Sequence, residues 1–402
     1  MSFEFAKGRN GNGSGRQRIL LAQRACAEFY PPVLHQAFLL SEAADVTLLD
    51  ALTEKDDSKV QTDDRVTRMR LAQKSSSSKA SKLLQRARAL KSYAKEFRKQ
   101  LAANMDVAIA YDPDAAVLLM SSNGVSKNVK RVIHLHEITK DSSNAPLGYR
   151  LKLQYMLRSL SRADLVILPD KHRADLLQSR VRLRREPLVV MNCPRRLPTV
   201  PNSLLLPLLR ERGITTSRIV HYQGALGPHH GLETVIKSMR LWPSDSVFVV
   251  VGAGSAEYLK KLGALTTSEG VQDRIIFTGR VPYDQVFQYA AGASVGLTLL
   301  DTSFPNWELS AGASNKRFEY AALGIPQVTN DGPGIQELFG KPGIATIADH
   351  RDVPDVGKKI ARYLENMRWG KEVGQNARAL HLQSYNYEQQ FKKVLEIIRP
   401  AT

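Results

Sequence analysis

The chain has 402 residues, 43% of them hydrophobic and 24% charged, which is material for two domains that each bury a core. Its two cysteines, Cys26 and Cys193, stand far apart without CxxC or Cys/His spacing; that excludes a disulfide framework and a cysteine zinc site and suits a reducing cytoplasm. No apolar run approaches the roughly 18 to 20 residues that cross a bilayer, and residues 1–18 are glycine-rich without the apolar stretch of a signal peptide, so the sequence reads as cytoplasmic.

Residues 18–23 (RILLAQ) read as a buried parallel strand, followed by a Pro31-Pro32 break, a helix over 33–43 and a strand over 45–49, the opening of a βαβ unit. A Ser-rich connection spans 74–82 and a basic helix 83–101. Strand 107–111, helix 114–121, strand 131–136, helix 147–161 and strands 165–168 and 188–191 continue the alternation. Pro194, Pro198, Pro201 and Pro207 mark a linker.

After the linker the alternation restarts. Strands are expected at 219–223, 247–251, 275–278, 295–299, 327–329 and 344–347, and helices at 232–241, 256–265, 283–290, 315–323 and 335–338. Helices at 353–366, 371–383 and 387–397 close the chain. The economical fold is α/β, two doubly wound Rossmann-like domains in tandem. The boundaries expected are 1–205, with a basic helical insertion at about 65–103, then 206–384, then a C-terminal helix in 385–402.

The net charge of +18 is unevenly placed: residues 1–200 hold 35 Lys and Arg against 20 Asp and Glu, and residues 201–402 hold 22 against 19. Across 65–99 there are 12 basic residues and one acid, Glu96. Such a stripe is either a solvated charge run or a contact for a phosphate-rich surface. Leu83, Leu84, Leu90, Tyr93, Ala94, Phe97 and Leu101 give the helix an apolar face beside its cations, which favours an anionic membrane over nucleic acid, for which no recognition motif is present.

Ligands of open α/β sheets bind beyond the carboxyl ends of the strands, and several loops there are rich in glycine. Gly224-Ala225-Leu226-Gly227-Pro228-His229-His230-Gly231 follows a strand and opens a helix, placing N–H groups and two imidazoles where an anion is stabilised. Gly252-Ala253-Gly254 repeats the arrangement one strand later, although glycine at such turns is also a backbone convenience. In Ser314-Asn315-Lys316-Arg317-Phe318-Glu319, Asn315 can cap a helix that carries Lys316 and Glu319 at i, i+3. The cation suits a diphosphate and the carboxylate the paired hydroxyls of a ribose. The alternative is a surface ion pair on a solvated helix.

Residues 222–330 resemble the nucleotide-sugar domain of GT-B glycosyltransferases, most closely the retaining family 4 type, in which two such domains face a central cleft. The matching pieces are Y-x-G-x-L-G-x-x-x-G-L from Tyr222, V-V-G-x-G, F-T-G-R-V-P, N-K-x-F-E-Y-x-A-x-G-x-P from Asn315, and G-x-x-E-L from Gly334. The resemblance implies that Glu319 holds the donor ribose, Lys316 the pyrophosphate, and the Gly279-Arg280-Val281 loop the base. Where the family presents an acid eight positions before Glu319, this sequence has Ala311, with Glu308 and Asp301 on the same loop; the loop cations of the family are replaced by Ala225 and by His229 or His230, a partly protonated imidazole serving in their place. Strand, His136, Glu137 resembles the family's N-terminal signature, with His134 on the same face as a possible core histidine.

Asp112-Pro113-Asp114 looks like a metal-binding D-x-D but follows a strand, where it caps a helix, so no metal cofactor is expected. The catalytic candidates are His136 and Glu308; the donor-site candidates are Gly224, His229, His230, Gly252, Gly254, Arg280, Val281, Lys316 and Glu319; Glu137 and Asp112 stand on the acceptor side. The implied activity is transfer of a sugar from a UDP- or GDP-type donor to a glycan or lipid-linked acceptor in surface polysaccharide or glycolipid assembly, at the inner face of the cell membrane. A nucleotide-sugar 2-epimerase of the same fold and a non-catalytic basic binding protein are the alternatives.

Overall fold

A computed structural model describes residues 16–53, 64–73, 79–122, 128–138 and 146–399. The chain divides into two compact units, one of Met1–Pro169, Arg173–Val190 and Phe391–Thr402, the other of Asp170–His172 and Met191–Gln390.

The first unit runs β1 (Gln17–Ala22), α1 (Pro31–Ser41), β2 (Ala44–Thr53), β3 (Val66–Gln73), α2 (Lys79–Leu101), β4 (Val107–Ala110), α3 (Pro113–Ser121), β5 (Lys130–His134), α4 (Leu147–Ser159), β6 (Leu165–Leu168), α5 (Lys171–Gln178) and β7 (Leu188–Val189). Its seven strands are parallel in the order β3-β2-β1-β4-β5-β6-β7. Both faces of such a sheet are covered, which is why β1 and β4 read as continuous apolar runs. The second unit runs α6 (Leu205–Glu211), β8 (Ile219–Gln223), α7 (Leu232–Ser238), β9 (Val247–Val251), α8 (Ala256–Ser268), β10 (Ile275–Gly279), α9 (Val286–Ala290), β11 (Val295–Thr298), α10 (Pro305–Glu308), α11 (Asn315–Leu323), β12 (Gln327–Asn330), β13 (Ala345–Ala348), α12 (Val353–Glu365) and α13 (Met367–Gln383). Six strands order as β10-β9-β8-β11-β12-β13. Both sheets reverse their order at the first strand, the doubly wound α/β arrangement expected of the sequence.

α14 (Tyr387–Ile398) begins in the second unit, and from Phe391 it belongs to the first. There Gln17 Nε2 donates to Ile398 O at 2.8 Å and Lys130 to Ile397 O. Among the described residues no helix is long and apolar enough to cross a membrane.

Three elements depart from the sequence expectation. Residues 66–73 form an edge strand instead of part of a basic helical insertion, and the helix after it starts at Lys79. Residues 74–78 of the Ser-rich stretch, and the side chains of Lys79, Lys82 and Leu83, lie outside the described set. Alternation in V-T-R-M-R-L sends Met69 and Leu71 to the core and Arg68 and Arg70 to the other face. There Arg68 reaches Glu28 at 2.9 Å and Asp50 at 2.5 Å, and Arg70 pairs with the same two carboxylates. These arginines are therefore internal counter-ions. Secondly, α2 turns Tyr93, Ala94, Phe97 and Leu101 into the core, so most of its expected membrane face is packing surface; Leu84 and Leu90 stay exposed. Thirdly, α6 occupies the end of the expected linker, with Pro207 in its first turn, where the missing N–H costs nothing.

The cluster of Cys26, Glu28, Asp50, Arg68 and Arg70 ties the loop after β1 to β2 and β3. Cys26 Sγ donates to Glu28 Oε2 at 2.6 Å and Ala27 N to Asp50 Oδ2 at 3.1 Å. Burial alone raises the Glu28 carboxyl, but bonds from Arg68, Cys26 and Arg70 outweigh it and hold it at about 2. Such a depressed carboxyl stabilises the fold fully above its unfolded value of 4.5 and loses that contribution as pH falls toward 2. Asp50→Ala, which strands two guanidinium groups, is expected to lower the free energy of unfolding in urea by about 3–5 kcal/mol. In Glu28→Gln the deficit against the wild type is expected to be constant above pH 5 and to close on acidification; a deficit that persists at about pH 2 refutes this account of the cluster.

Candidate active site

The crevice of a doubly wound sheet opens where the strand order reverses, so the loops after β8 and β11 are decisive in the second unit. β8 is buried throughout and ends in Gln223 and Gly224. Gly224 and Gly252 adopt φ of 128° and 148°, and a Cβ on Gly252 would lie 1.8 Å from Gly224 O. A Cβ on Gly254 would lie 2.6 Å from Leu226 O. The loops after β8 and β9 thus run backbone against backbone, with Gly224 N donating to Val251 O and Leu226 N to Ala253 O, both at 2.9 Å. A side chain on Gly224 would meet Lys316 Nζ at 3.2 Å, so the glycine also leaves the lysine its space.

α11 brings Lys316 and Glu319 to the same place. Ser314 holds the N-cap position without a side-chain bond; Asn315, expected as the cap, is the first helical residue, and its Oδ1 is buried without a partner. Lys316 Nζ sits 4.1 Å from the centre of the Tyr222 ring. Burial, and then Arg317, pull the ammonium down to about 7. Glu319 is 5% exposed. Its Oε2 accepts from Gln223 Nε2 at 2.5 Å and its Oε1 from Tyr283 OH at 3.4 Å, yet burial still pushes it up to about 7. These contacts replace the solvated ion pair that the spacing also allowed. Because Gln223 Nε2 must face the carboxylate, its Oε1 is left buried and without a partner.

The remaining donor-site candidates surround this pair. His230 lies 6.3 Å from the Tyr222 ring and 5.5 Å from Trp307. Burial, then Lys316 and His229, bring its imidazole down to about 3, so it is neutral and is not the partly protonated group expected. His229 packs on Phe304 at 4.3 Å and Trp307 at 4.8 Å. In the loop after β10, Arg280 is exposed and Val281 packs on the apolar patch of Val249 and Val251, with Gly252 N donating to Gly279 O at 2.9 Å. Glu308 ends α10, one residue after Trp307. Ala311 is buried against Phe318 and Ile335, so a carboxylate at that position would face the core.

In the first unit β5 ends at His134, and His136 lies just beyond it. Tyr111 OH donates to Gln36 Oε1 at 2.7 Å, so Gln36 Nε2 donates to His134 Nδ1 at 2.7 Å; His134 is a core histidine that burial keeps neutral. His136 is stacked between Tyr30 at 5.3 Å and Tyr111 at 5.5 Å. Its Nε2 is buried without a partner, and burial and Arg173 hold it at about 3. Glu137 beside it is exposed. Asp112 caps α3, accepting from Ala115 N at 2.8 Å and from Arg24 N, while Asp114 pairs with Arg24 at 2.6 Å and Lys152 at 2.7 Å. The two carboxylates of the D-x-D thus have protein partners.

Residues 209–380 match the family model described as glycosyl transferases group 1. The second unit carries a glycosyltransferase group 1 domain. A GDP-mannose-dependent α-(1-6)-phosphatidylinositol monomannoside mannosyltransferase of Mycolicibacterium smegmatis is 24% identical over 196 residues, 47% of this chain and 50% of that protein; the chain therefore spans about half the length of the relative it matches. Among solved structures, Anabaena HepE in complex with UDP and glucose superposes with a TM-score of 0.69 at 16% identity, covering 95% of this chain and 99% of that one. Sucrose-phosphate synthase of Thermosynechococcus elongatus gives 0.69 at 15%, covering 95% and 98%. WaaG, a glycosyltransferase involved in lipopolysaccharide biosynthesis, gives 0.64 at 14%, covering 94% and 99%. These likenesses give the chain the GT-B fold.

Sequence reasoning missed Gln223 and Tyr283, the two donors to Glu319. The signal for Gln223 was a polar residue at the end of an otherwise apolar strand; Tyr283 carried none. The pair Lys316 and Glu319 also has a cost that can be measured. A carboxyl raised from 4.5 to about 7 destabilises the folded chain progressively between those pH values and fully above them. Glu319→Gln is expected to stabilise the ligand-free protein by on the order of 2 kcal/mol at pH 8 and by almost nothing at pH 4. A calorimetric melting series in which the gain is absent at pH 8, or equal at both values, contradicts the burial described here.

Proposed function

We propose that the chain transfers a sugar from a nucleoside-diphosphate sugar to a glycan or lipid-linked acceptor, with retention of configuration and without a metal cofactor, as a family 4 type enzyme. The observation that carries this reading is the start of α11, where Lys316 lies against Gly224 and Tyr222 and Glu319 is held by two neutral donors. Lys316 would face the diphosphate and Glu319 the ribose hydroxyls, with Gly252 and Gly254 allowing close approach and the loop of Arg280 and Val281 beside the base. The buried, unpartnered Gln223 Oε1, His230 Nδ1 and Asn315 Oδ1 fit a site built for a polar ligand. Charge on the departing diphosphate would be met by Lys316 and backbone N–H groups. His136 is proposed as the reacting-side group of the first unit, with Glu137 beside it and Glu308 on the loop after β11 of the second.

UDP in the HepE complex and GDP-mannose in the name of the relative make these two nucleotides the first candidates. A ligand at about 100 times its dissociation constant stabilises a fold by about 2.7 kcal/mol, so a thermal-shift series of nucleoside diphosphates is expected to single out one. Glu319→Ala is expected to weaken that nucleotide at least about tenfold by calorimetry, equivalent to 1.4 kcal/mol. Wild-type affinity in this variant would remove the basis of the proposal. Turnover is expected to survive EDTA, and acceptor-free epimerisation of the donor would instead support the 2-epimerase reading.

Membrane contact belongs to the same proposal, in a form changed by the structure. α2 exposes Arg86, Arg88, Lys91, Lys95, Arg98 and Lys99, and α4 exposes Leu147, Tyr149, Leu151 and Tyr155 beside Arg150 and Arg158. Both helices pack against α3. Cations beside exposed apolar and aromatic side chains suit an anionic lipid surface at the inner face of a membrane, each cation contributing about 1 kcal/mol near it. Co-sedimentation with anionic vesicles is expected to fall at least about tenfold in Arg86→Glu/Arg88→Glu/Lys91→Glu and to weaken in high salt; equal binding to neutral vesicles argues against the contact.

A further inference from the structure

Asp301, which follows β11, has no part in the assignment above, although four groups converge on it. Its carboxylate accepts from Ser303 N at 3.0 Å and Arg351 Nη2 at 3.2 Å, and His350 Nε2 lies 3.6 Å away. The Ser303 backbone bond, outweighing burial and joined by Arg351 and His229, holds the carboxyl well below the usual carboxylate range, so it is an anion. The fourth group is His229, whose Nδ1 lies 3.3 Å from Asp301 Oδ2, while Asp301 N donates to His229 O at 3.0 Å. The two residues are thus joined twice, by side chain and by backbone.

An anionic acceptor fixes the hydrogen on Nδ1 and favours the imidazolium over the neutral ring. Phe304 and Trp307 pack against the ring, which is one third exposed, and its Nε2 makes no hydrogen bond within the protein. His230 from the same loop, Lys316 from α11, and Arg351 and His350 from the loop after β13 are the other titratable groups around it. Of the two imidazoles in the loop, His230 is neutral, so His229 is the one placed to carry charge.

We propose that Asp301 is a positioning residue for sugar transfer, holding His229 as an imidazolium whose Nε2–H donates to the departing diphosphate. This rests on the reading of the loop as a donor site. As the bond from the sugar C1 to the diphosphate oxygen breaks, its electron pair stays on that oxygen; the imidazolium keeps its proton and the new charge forms opposite it. Asp301 itself does not touch the donor.

A double-mutant cycle on the full chain tests the link, with UDP-glucose and GDP-mannose as donors and release of nucleoside diphosphate as the readout. Asp301→Asn keeps an acceptor for Nδ1–H and for Ser303 N but removes the charge. Asp301→Asn and His229→Gln are each expected to lower kcat about tenfold with donor KM changed less than about threefold, and the double variant to be no slower than His229→Gln alone. Losses that multiply to about a hundredfold, or a full kcat in His229→Gln, overturn the proposal, and the second outcome decides even if the Asp301 variant fails to fold. Multiplying losses in variants that still bind UDP or GDP by calorimetry sink the positioning role alone; a wild type that binds neither nucleotide overturns the donor-site reading together with it.

Discussion

The candidate site of the second unit depends on one buried guanidinium. Arg317 is fully buried, and none of its hydrogen bonds goes to a carboxylate: Nε donates to Thr329 Oγ1 at 2.9 Å, Nη1 to Ser310 O at 2.7 Å and Nη2 to Asn330 Oδ1 at 2.8 Å. Burial brings it down to about 9, still charged at neutral pH. Its partners are the end of β12 and the loop that leads into α11, and Asn330 Oδ1 also accepts from Leu300 N just after β11. One side chain therefore fixes the ends of two strands and the approach to the helix carrying Lys316 and Glu319. Removing it would leave several buried acceptors unsatisfied at once, a loss that neighbouring packing cannot make good.

Arg317 also explains why the adjacent lysine is not an ordinary surface cation. Two positive groups on one helical turn repel, and Arg317 cannot give up its proton near neutrality, so the adjustment falls on Lys316. Glu319 is pushed the opposite way by the same desolvation. The empty site thus holds a base and an acid whose charged forms are both disfavoured, and an incoming anion with hydroxyl donors is what would restore them.

The sheets were legible because their strands are buried on both faces: R-I-L-L-A and V-F-V-V-V admit few other readings. Edge strand β3 was not, because its two arginines look like surface charge until Glu28 and Asp50 are seen behind them, and those partners lie 38 or more positions and 18 or more positions away along the chain. A similar limit applies to α2. Its charge count suggested a free amphipathic helix, whereas Tyr93 and Phe97 belong to the core and the exposed aromatics sit on α4. At the site, Lys316, Glu319 and the glycines could be read from local spacing. Gln223 and Tyr283 could not, since they act across strands β8 and β10 on a residue of α11.

Both sheets use the same strand order, yet their crevices are built on opposite principles. In the first unit the reversal point is filled: Asp112 spends its carboxylate on Ala115 N and Arg24 N, and His136 lies between two tyrosines. In the second it is kept narrow but open by Gly224, Gly252 and Gly254, whose missing side chains let two loops touch while Lys316 reaches past them. A single methyl group on Gly252 would drive the loops apart at 1.8 Å and move Gly224, and with it the wall against which the lysine rests. Position, not only composition, therefore decides what each glycine does: Gly213 and Gly343 also have positive φ, but nothing lies within 4 Å of where their side chains would be.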